Sequence, residues 1–310
     1  LIISSTPNGS EGIFAELWFG ADQGTNGFKA SRVFNEEVPN RGEKFKQQML
    51  QKMSEDKYNQ EFGCAFISNK GTLIKSSILE TMRFREPIRI VDDIHIFTDI
   101  AGKRIGLAVD VGTGVGQDYS VIQVFDLDTL EQVAEYRNNH LPITEFTKKI
   151  LSTLKFLLDD EDAAEIYYTV ENNSIGQGVV RLLENSNNPI LERVEMVNES
   201  RKQLGMMTTI KTKMKGALKF KDLVESKKLK IYSRRLISEL KFFVQSGSTF
   251  KAETGMTDDL VMGSIIFVNM LHELASYDET IYDVMTTVDG DDLAIDLEDG
   301  EDSGPMPFVC

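Results

Sequence analysis

An α/β fold, with a mixed sheet flanked by helices, is what this 310-residue chain predicts. Three observations predict it. Short apolar runs at Arg104 to Val111, Asp118 to Asp126, Glu131 to Arg137 and Glu165 to Glu171 read as strands, with one amphipathic helix among them and a long apolar helix after them. The first run is apolar nearly throughout, as suits a strand buried on both faces. Acids stand at the edges of the apolar segments: Asp110 in LAVDVGTGVGQDYS, Glu171 in IYYTVENNSIG, and Asp258 and Asp259 in TGMTDDLVMGSIIFVNM.

The elements fall into three parts. In residues 1–70, an apolar strand from Leu1 to Ile3 runs into Ser4-Ser5-Thr6-Pro7-Asn8-Gly9. A helix follows near Gly12 to Gly20, and a second from Gly42 to Ser54 carries Phe45, Met49, Leu50 and Met53 at helical spacing. The residues just before Gly71 read as a hinge. Because the chain starts at Leu1 inside a strand, it is expected to be a piece of a longer protein. Residues 71–282 open with irregular, mixed-charge sequence and then give the four strands. Between the third and fourth, Thr144 is the expected N-cap of a helix whose face holds Phe146, Ile150, Leu151, Leu154, Leu157 and Leu158. A short helix at Gly178 to Glu184, a strand at Leu229 to Tyr232, a helix at Arg234 to Gln245 and a long apolar helix from Met256 complete this part. Three adjacent strands, a helix, a strand ending in an acid and a late helix beginning with an acid follow the order of an RNase-H-like fold. Residues 283–310 form an acidic tail with little apolar clustering, expected to be mobile.

Composition narrows the function. Cys64 and Cys310 make no disulfide framework, and three histidines make no zinc site. The longest mostly apolar stretch, Leu260 to Leu271, is too short to span a bilayer. No basic-then-apolar segment opens the chain, so an intracellular setting is expected. A net charge of −15 argues against a polyanionic substrate only as an average. Asp278 to Asp302 holds eleven acids and no base, whereas Arg201 to Arg235 holds twelve bases against Asp222 and Glu225. A basic run of that density can neutralise phosphates, although it can equally be a solvated face.

The acids carry the chemistry. Carboxylates are costly to bury unpaired, so acids at the ends of buried elements face a cation, a donor or a cleft. Brought together, Asp110, Glu171 and the Asp258-Asp259 pair would form an all-oxygen site for a hard divalent metal, with Asp118 placed near Asp110 by a hairpin. Such a site hydrolyses phosphodiesters with two metal ions. Each acid also has a plainer role. Asp110 could cap its turn, Glu171 precedes the turn-forming Asn172-Asn173, and Asp258 and Asp259 follow Thr257, a good N-cap, where acids gain from the helix dipole. The glycines of GTGVG lack the spacing and the following helix of a dinucleotide loop. The fragment from Asp110 to Thr113 is like a first phosphate motif of actin-type ATPases, but no second motif follows. Gly71 to Ser76 lacks the spacing of a Walker A loop.

SSTPNG, QEFGCAF, LAVDVGTGVGQDYS, YTVENN and TDDLVMG, in that order, resemble the large terminase subunit of tailed phages, most closely the contractile-tail type. The resemblance implies that residues 1–70 end an ATPase domain, with Ser4, Ser5 and Thr6 in the motif coupling ATP hydrolysis to DNA movement. It implies that Asp110, Glu171 and Asp259 are the catalytic acids that hold Mg²⁺ or Mn²⁺, with Asp258 as a catalytic neighbour and Asp118 in support, in an endonuclease that cuts concatemeric DNA when the head is full. The run TTIKTKMKGALKFKDLVES also resembles the family, and its Lys211, Lys213, Lys215, Lys219 and Lys221 are expected to track DNA phosphates. Walker A and B motifs are missing, so ATP hydrolysis is expected only of the complete protein. The implied partners are double-stranded DNA, the portal protein, the small terminase subunit and other copies in a pentamer, with no membrane. The implied location is the host cytoplasm, transiently on the procapsid portal and not in the mature virion. Two other readings stay open: a DNA-gripping, portal-docking module without catalysis, and an RNase-H-fold ATPase.

Overall fold

The computed structural model describes residues 1–7, 13–22, 26–64, 71–116, 118–199 and 203–286. One sheet contains β1 (Arg89–Val91), β2 (Ile94–Ile96), β3 (Arg104–Asp110), β4 (Ser120–Asp126), β5 (Gln132–Asn138), β6 (Glu165–Val170) and β7 (Glu195–Met196). Their order is β1-β2-β5-β4-β3-β6-β7. β3 runs antiparallel to β4 and parallel to β6, so the sheet is mixed. A separate hairpin pairs β8 (Phe243–Ser246) with β9 (Thr249–Ala252).

The helices are α1 (Ile13–Asp22), α2 (Glu43–Leu50), α3 (Glu55–Phe62), α4 (Ser76–Thr81), α5 (Ile143–Lys155), α6 (Gly176–Glu184), α7 (Ile210–Glu225), α8 (Arg234–Leu240), α9 (Asp259–Ala275) and α10 (Glu279–Thr286). Alternation along the central strands sorts them onto two faces. Ile105, Leu107 and Val109 pack with Phe146, Ile150 and Leu154 of α5 and Val179 and Leu183 of α6. Ala108, Val121 and Phe125 pack under α7, α8 and α9. Two glycines let α9 approach closely. A Cβ on Gly106 would stand 2.6 Å from the Phe267 ring, and one on Gly263 would stand 3.0 Å from Val121. Phe125 and Phe267 stack there at 4.3 Å. The N-terminus of α9 therefore lies beside the C-terminal end of β3. Among the described residues, no helix is long and apolar enough to cross a membrane.

Several expectations need correction. Leu1 to Ile3 is not a strand: among the described residues it pairs with none, and Leu1 and Ile2 are exposed. The stretch read as irregular after residue 71 contains α4 and the β1–β2 hairpin, and the hairpin extends the sheet beyond its expected strands through β2 and β5. The residue before α5 is Pro142, not Thr144. Leu229 to Tyr232 is not a strand: Lys230 makes an isolated bridge to Glu131, beyond the edge of β5. The helix expected through Gln245 stops at Leu240, because Phe242, Phe243 and Val244 turn into the β8–β9 hairpin around Gly247 at φ 62°. The run from Ile210 is helix α7, capped by Thr209, whose hydroxyl accepts from the Thr212 N–H. At the C-terminal side, α10 carries past residue 283, with Ile281 buried and Val284 and Met285 packed against the core. The hinge before Gly71 and the tail from residue 287 lie outside the described residues.

Candidate active site

Parallel pairing of β3 with β6 sets the first two acids side by side. Val109 aligns with Val170, and the Glu171 N–H donates to the Val109 carbonyl at 2.9 Å. Asp110 follows Ala108 by two residues and Glu171 follows Thr169 by two, so both point to the α9 face. Glu171 is buried, whereas Asp110 is partly exposed, leaving the pair open on one side. Glycines shape the turn after Glu171. A Cβ on Gly176 would lie 1.8 Å from the Glu171 carbonyl oxygen, and one on Gly205, at φ 72°, would lie 2.3 Å from that of Val170. Gly176→Ala is expected to lower unfolding stability by about 1–3 kcal/mol, since backbone must move to admit the methyl. A urea melt reads this, and an unchanged midpoint would mean that the turn yields freely.

The electrostatics are those of two carboxyls that repel one another at a buried strand end. Burial, then contact with Glu171, pushes the Asp110 carboxyl well above the usual range, and Asp259 and Asp258 add to the rise. Burial and Asp258 push Asp259 up to about 6, against the pull of Arg137 and a hydrogen bond from the Tyr119 N–H. Asp118, in the loop before β4, acts on Asp259 more weakly in the same upward direction. That loop is drawn close by Gly112, where a Cβ would stand 2.5 Å from the Asp118 carbonyl oxygen.

Asp259 and Asp258 differ. Asp259 is the first residue of α9 and interacts with Asp110. Asp258 is tied elsewhere: its Oδ2 accepts from the Ala252 N–H at 3.1 Å and lies 3.8 Å from the Lys213 Nζ. Among the described residues, no three His, Cys, Asp or Glu side chains are arranged to hold a metal ion as they stand. The donor set nevertheless fits a hard divalent cation. It is all oxygen, and two carboxylates in contact at a buried strand end must bind a proton or a metal to relieve their repulsion.

Two residues of the site escaped the sequence reading. Glu239 of α8 is buried, with its Oε2 accepting from the Leu260 and Val261 N–H groups at 2.8 and 3.1 Å. Burial pushes it up to about 8, against the pull of Arg137. Arg137 of β5 is paired in register with Val121, which is paired with Asp110, so the three share one row. Its guanidinium stacks 3.6 Å from the Tyr119 ring centroid and lies 3.6 Å from Glu239 Oε1. The signal for Glu239 was an acid on the apolar side of a helix, among Leu236, Ile237 and Leu240. No signal marked Arg137.

The five lysines of α7 do not share one face. Lys211, Lys215 and Lys219, spaced by four, follow one flank. Lys213 turns toward the site, 5.5 Å over the Phe243 ring, and Lys221 lies on another side. Burial, with Lys215 nearby, pushes Lys219 down to about 8. Ser4, Ser5 and Thr6 are exposed in a segment without helix or strand, where the Ser5 hydroxyl donates to the Thr6 carbonyl.

A family model described as the terminase RNase-H-like domain matches residues 107–270, just over half of the chain. The span runs from β3 to α9 and includes all the acids above. Among solved structures, the large terminase nuclease of thermophilic phage G20c with bound magnesium is similar at 17% identity and TM-score 0.47, over 65% of this chain and 98% of that one. The cobalt-bound form of the same nuclease gives 17% and 0.48, with the same coverage of both chains. The Thermus phage P74-26 large terminase nuclease domain gives 17% and 0.45, over 63% of this chain and 93% of that one.

Proposed function

The chain belongs to the terminase RNase-H-like domain family, and from that premise we propose that it is the metal-dependent DNA endonuclease of a viral packaging terminase. The observation that carries the reading is the contact of Asp110 with Glu171 at adjacent strand ends, with Asp259 entering from α9. In this reading Asp110, Glu171 and Asp259 hold Mg²⁺ or Mn²⁺. When bound, such ions activate a water and neutralise the leaving 3′ oxygen of a cut strand. The chain's own residues do the rest. Glu171, held by the backbone bond to Val109, keeps its carboxylate toward Asp110. The hairpin and Lys213 occupy Asp258, which leaves Asp259 as the acid presented to the site. Lys211, Lys215 and Lys219 offer cations along a flank of α7, where they meet phosphates without reading base sequence.

The deciding experiment is nicking of supercoiled plasmid by this chain with Mn²⁺, against a control in EDTA. Metal-dependent relaxation supports the reading. DNA binding without cutting would favour a gripping or portal-docking module, and nucleotide hydrolysis without cutting would favour an RNase-H-fold ATPase. A second measurement concerns DNA. Changing Lys211, Lys215 and Lys219 together to Ala is expected to weaken duplex binding and flatten its log–log salt dependence by about 0.9 per lost phosphate contact. An unchanged slope would make these lysines a solvated face.

The wider setting belongs to the same proposal. The parent is a large terminase of the contractile-tail type, in which residues 1–70 end an ATPase domain and Ser4, Ser5 and Thr6 help couple ATP hydrolysis to DNA movement. A pentamer of the parent, with the small subunit as partner, docks on the procapsid portal in the host cytoplasm. This domain then cuts concatemeric DNA once the head is full, and the motor leaves before the virion matures.

A further inference from the structure

We propose that Glu239 is a positioning residue of the nuclease, holding the first turn of α9 from outside the helix so that the Asp259 carboxylate stays free for metal. The proposal rests on the endonuclease reading above. Its basis is where the hydrogen bonds of that turn go. A helix begins with N–H groups that have no partner within it, and the side chain of a Ser, Thr, Asp or Asn just before the first residue usually folds back onto them. Here neither local acid does so. Asp258, the residue before α9, makes no side-chain cap bond, and its Oδ2 is taken by the Ala252 N–H.

The cap comes instead from another helix. Glu239 accepts from the N–H groups of Leu260 and Val261, the two residues after Asp259, and its other oxygen accepts from the Thr257 hydroxyl at 3.0 Å. Thr257 in turn accepts from Arg137 Nη2 at 3.1 Å, and Arg137 is fixed by stacking on Tyr119. On the opposite side, the Leu260 carbonyl accepts from Gln123 Nε2 of β4 at 3.3 Å. Residues on both sides of Asp259 are therefore held by side chains from α8, β4 and β5. An ordinary cap would spend the carboxylate of Asp258 or Asp259 on the helix. This arrangement satisfies the same donors with a buried acid that faces away from solvent, and it sets the direction from which Asp259 approaches Asp110.

The test compares the chain with Glu239→Gln, which keeps the volume, Glu239→Ala, which removes the cap, and Thr257→Val, which removes only the hydroxyl link. Mn²⁺ affinity is measured by calorimetry without DNA, kcat and KM by plasmid nicking, and folding by thermal melts. Glu239→Gln is expected to weaken Mn²⁺ binding about 10-fold or more and to lower kcat, with KM for DNA little changed. Thr257→Val shifts both in the same direction by less. If Glu239→Ala does not fold, the other two variants decide. Mn²⁺ affinity within about twofold of the parent in Glu239→Gln would overturn the proposal, whatever happens to the melting temperature. So would a lowered melting temperature in Glu239→Ala with parental Mn²⁺ affinity, since that is a purely structural cap. A parent that binds Mn²⁺ but cuts no DNA would overturn the nuclease reading alone, because the calorimetric comparison still reports on Glu239.

Discussion

Asp110→Asn is expected to abolish plasmid nicking while leaving the domain folded. The amide keeps the shape of the carboxyl but loses the charge that would bind a metal. Metal charge stabilisation is worth several kcal/mol, so a loss of at least about 10³-fold in rate is expected. The stability effect should have the opposite sign. Burial and Glu171 hold the Asp110 carboxyl well above its usual range, so the folded chain binds a proton more tightly there than the unfolded chain does. Stability contributed by that proton is full below the unfolded value of about 4 and is lost as pH rises through the folded value. Asp110→Asn removes that loss. In EDTA its melting temperature should therefore match or exceed the parent's at neutral pH, and the difference should vanish near pH 4. Nicking at the parental rate would remove Asp110 from the metal site. A melting temperature well below the parent's at neutral pH would show that the carboxylate is held by bonds that outweigh its burial.

The second large effect should separate two adjacent acids. Asp259→Asn is expected to cost about 10²–10³-fold in Mn²⁺-dependent cutting, because it removes the carboxylate that faces Asp110. Asp258→Asn should cost about 10-fold or less, through the surroundings of the site rather than through metal. The structural reason is that Asp258 Oδ2 is bound to the Ala252 N–H and lies near Lys213. An amide oxygen can still accept the first of those bonds. Nicking assays on the two single variants, with melts to verify folding, decide the order. An active Asp259→Asn beside an inactive Asp258→Asn would reverse it.

Local patterning was enough to identify the elements that bear the acids. The strands ending near Asp110 and Glu171 and the long helix containing Asp259 were legible because alternation and helical spacing are local, and an acid closing a long apolar run stands out. The β1–β2 and β8–β9 hairpins were not legible as such. Three- and four-residue strands carry too little periodicity to be told from the neighbouring helix or loop. The phase of α7 needed its buried face, set by Gly216, Ala217 and Phe220 against α9, before Lys213 could be distinguished from Lys211, Lys215 and Lys219. The company of Asp259 is set by packing between elements far apart in the chain. Glu239 lies twenty residues before it and Arg137 more than a hundred, and no local pattern records which side chain reaches a helix end once the chain has folded. The hydrogen-bonding needs of that helix end exist in any α-helix; which residues meet them is settled by how α8 and β5 pack around it.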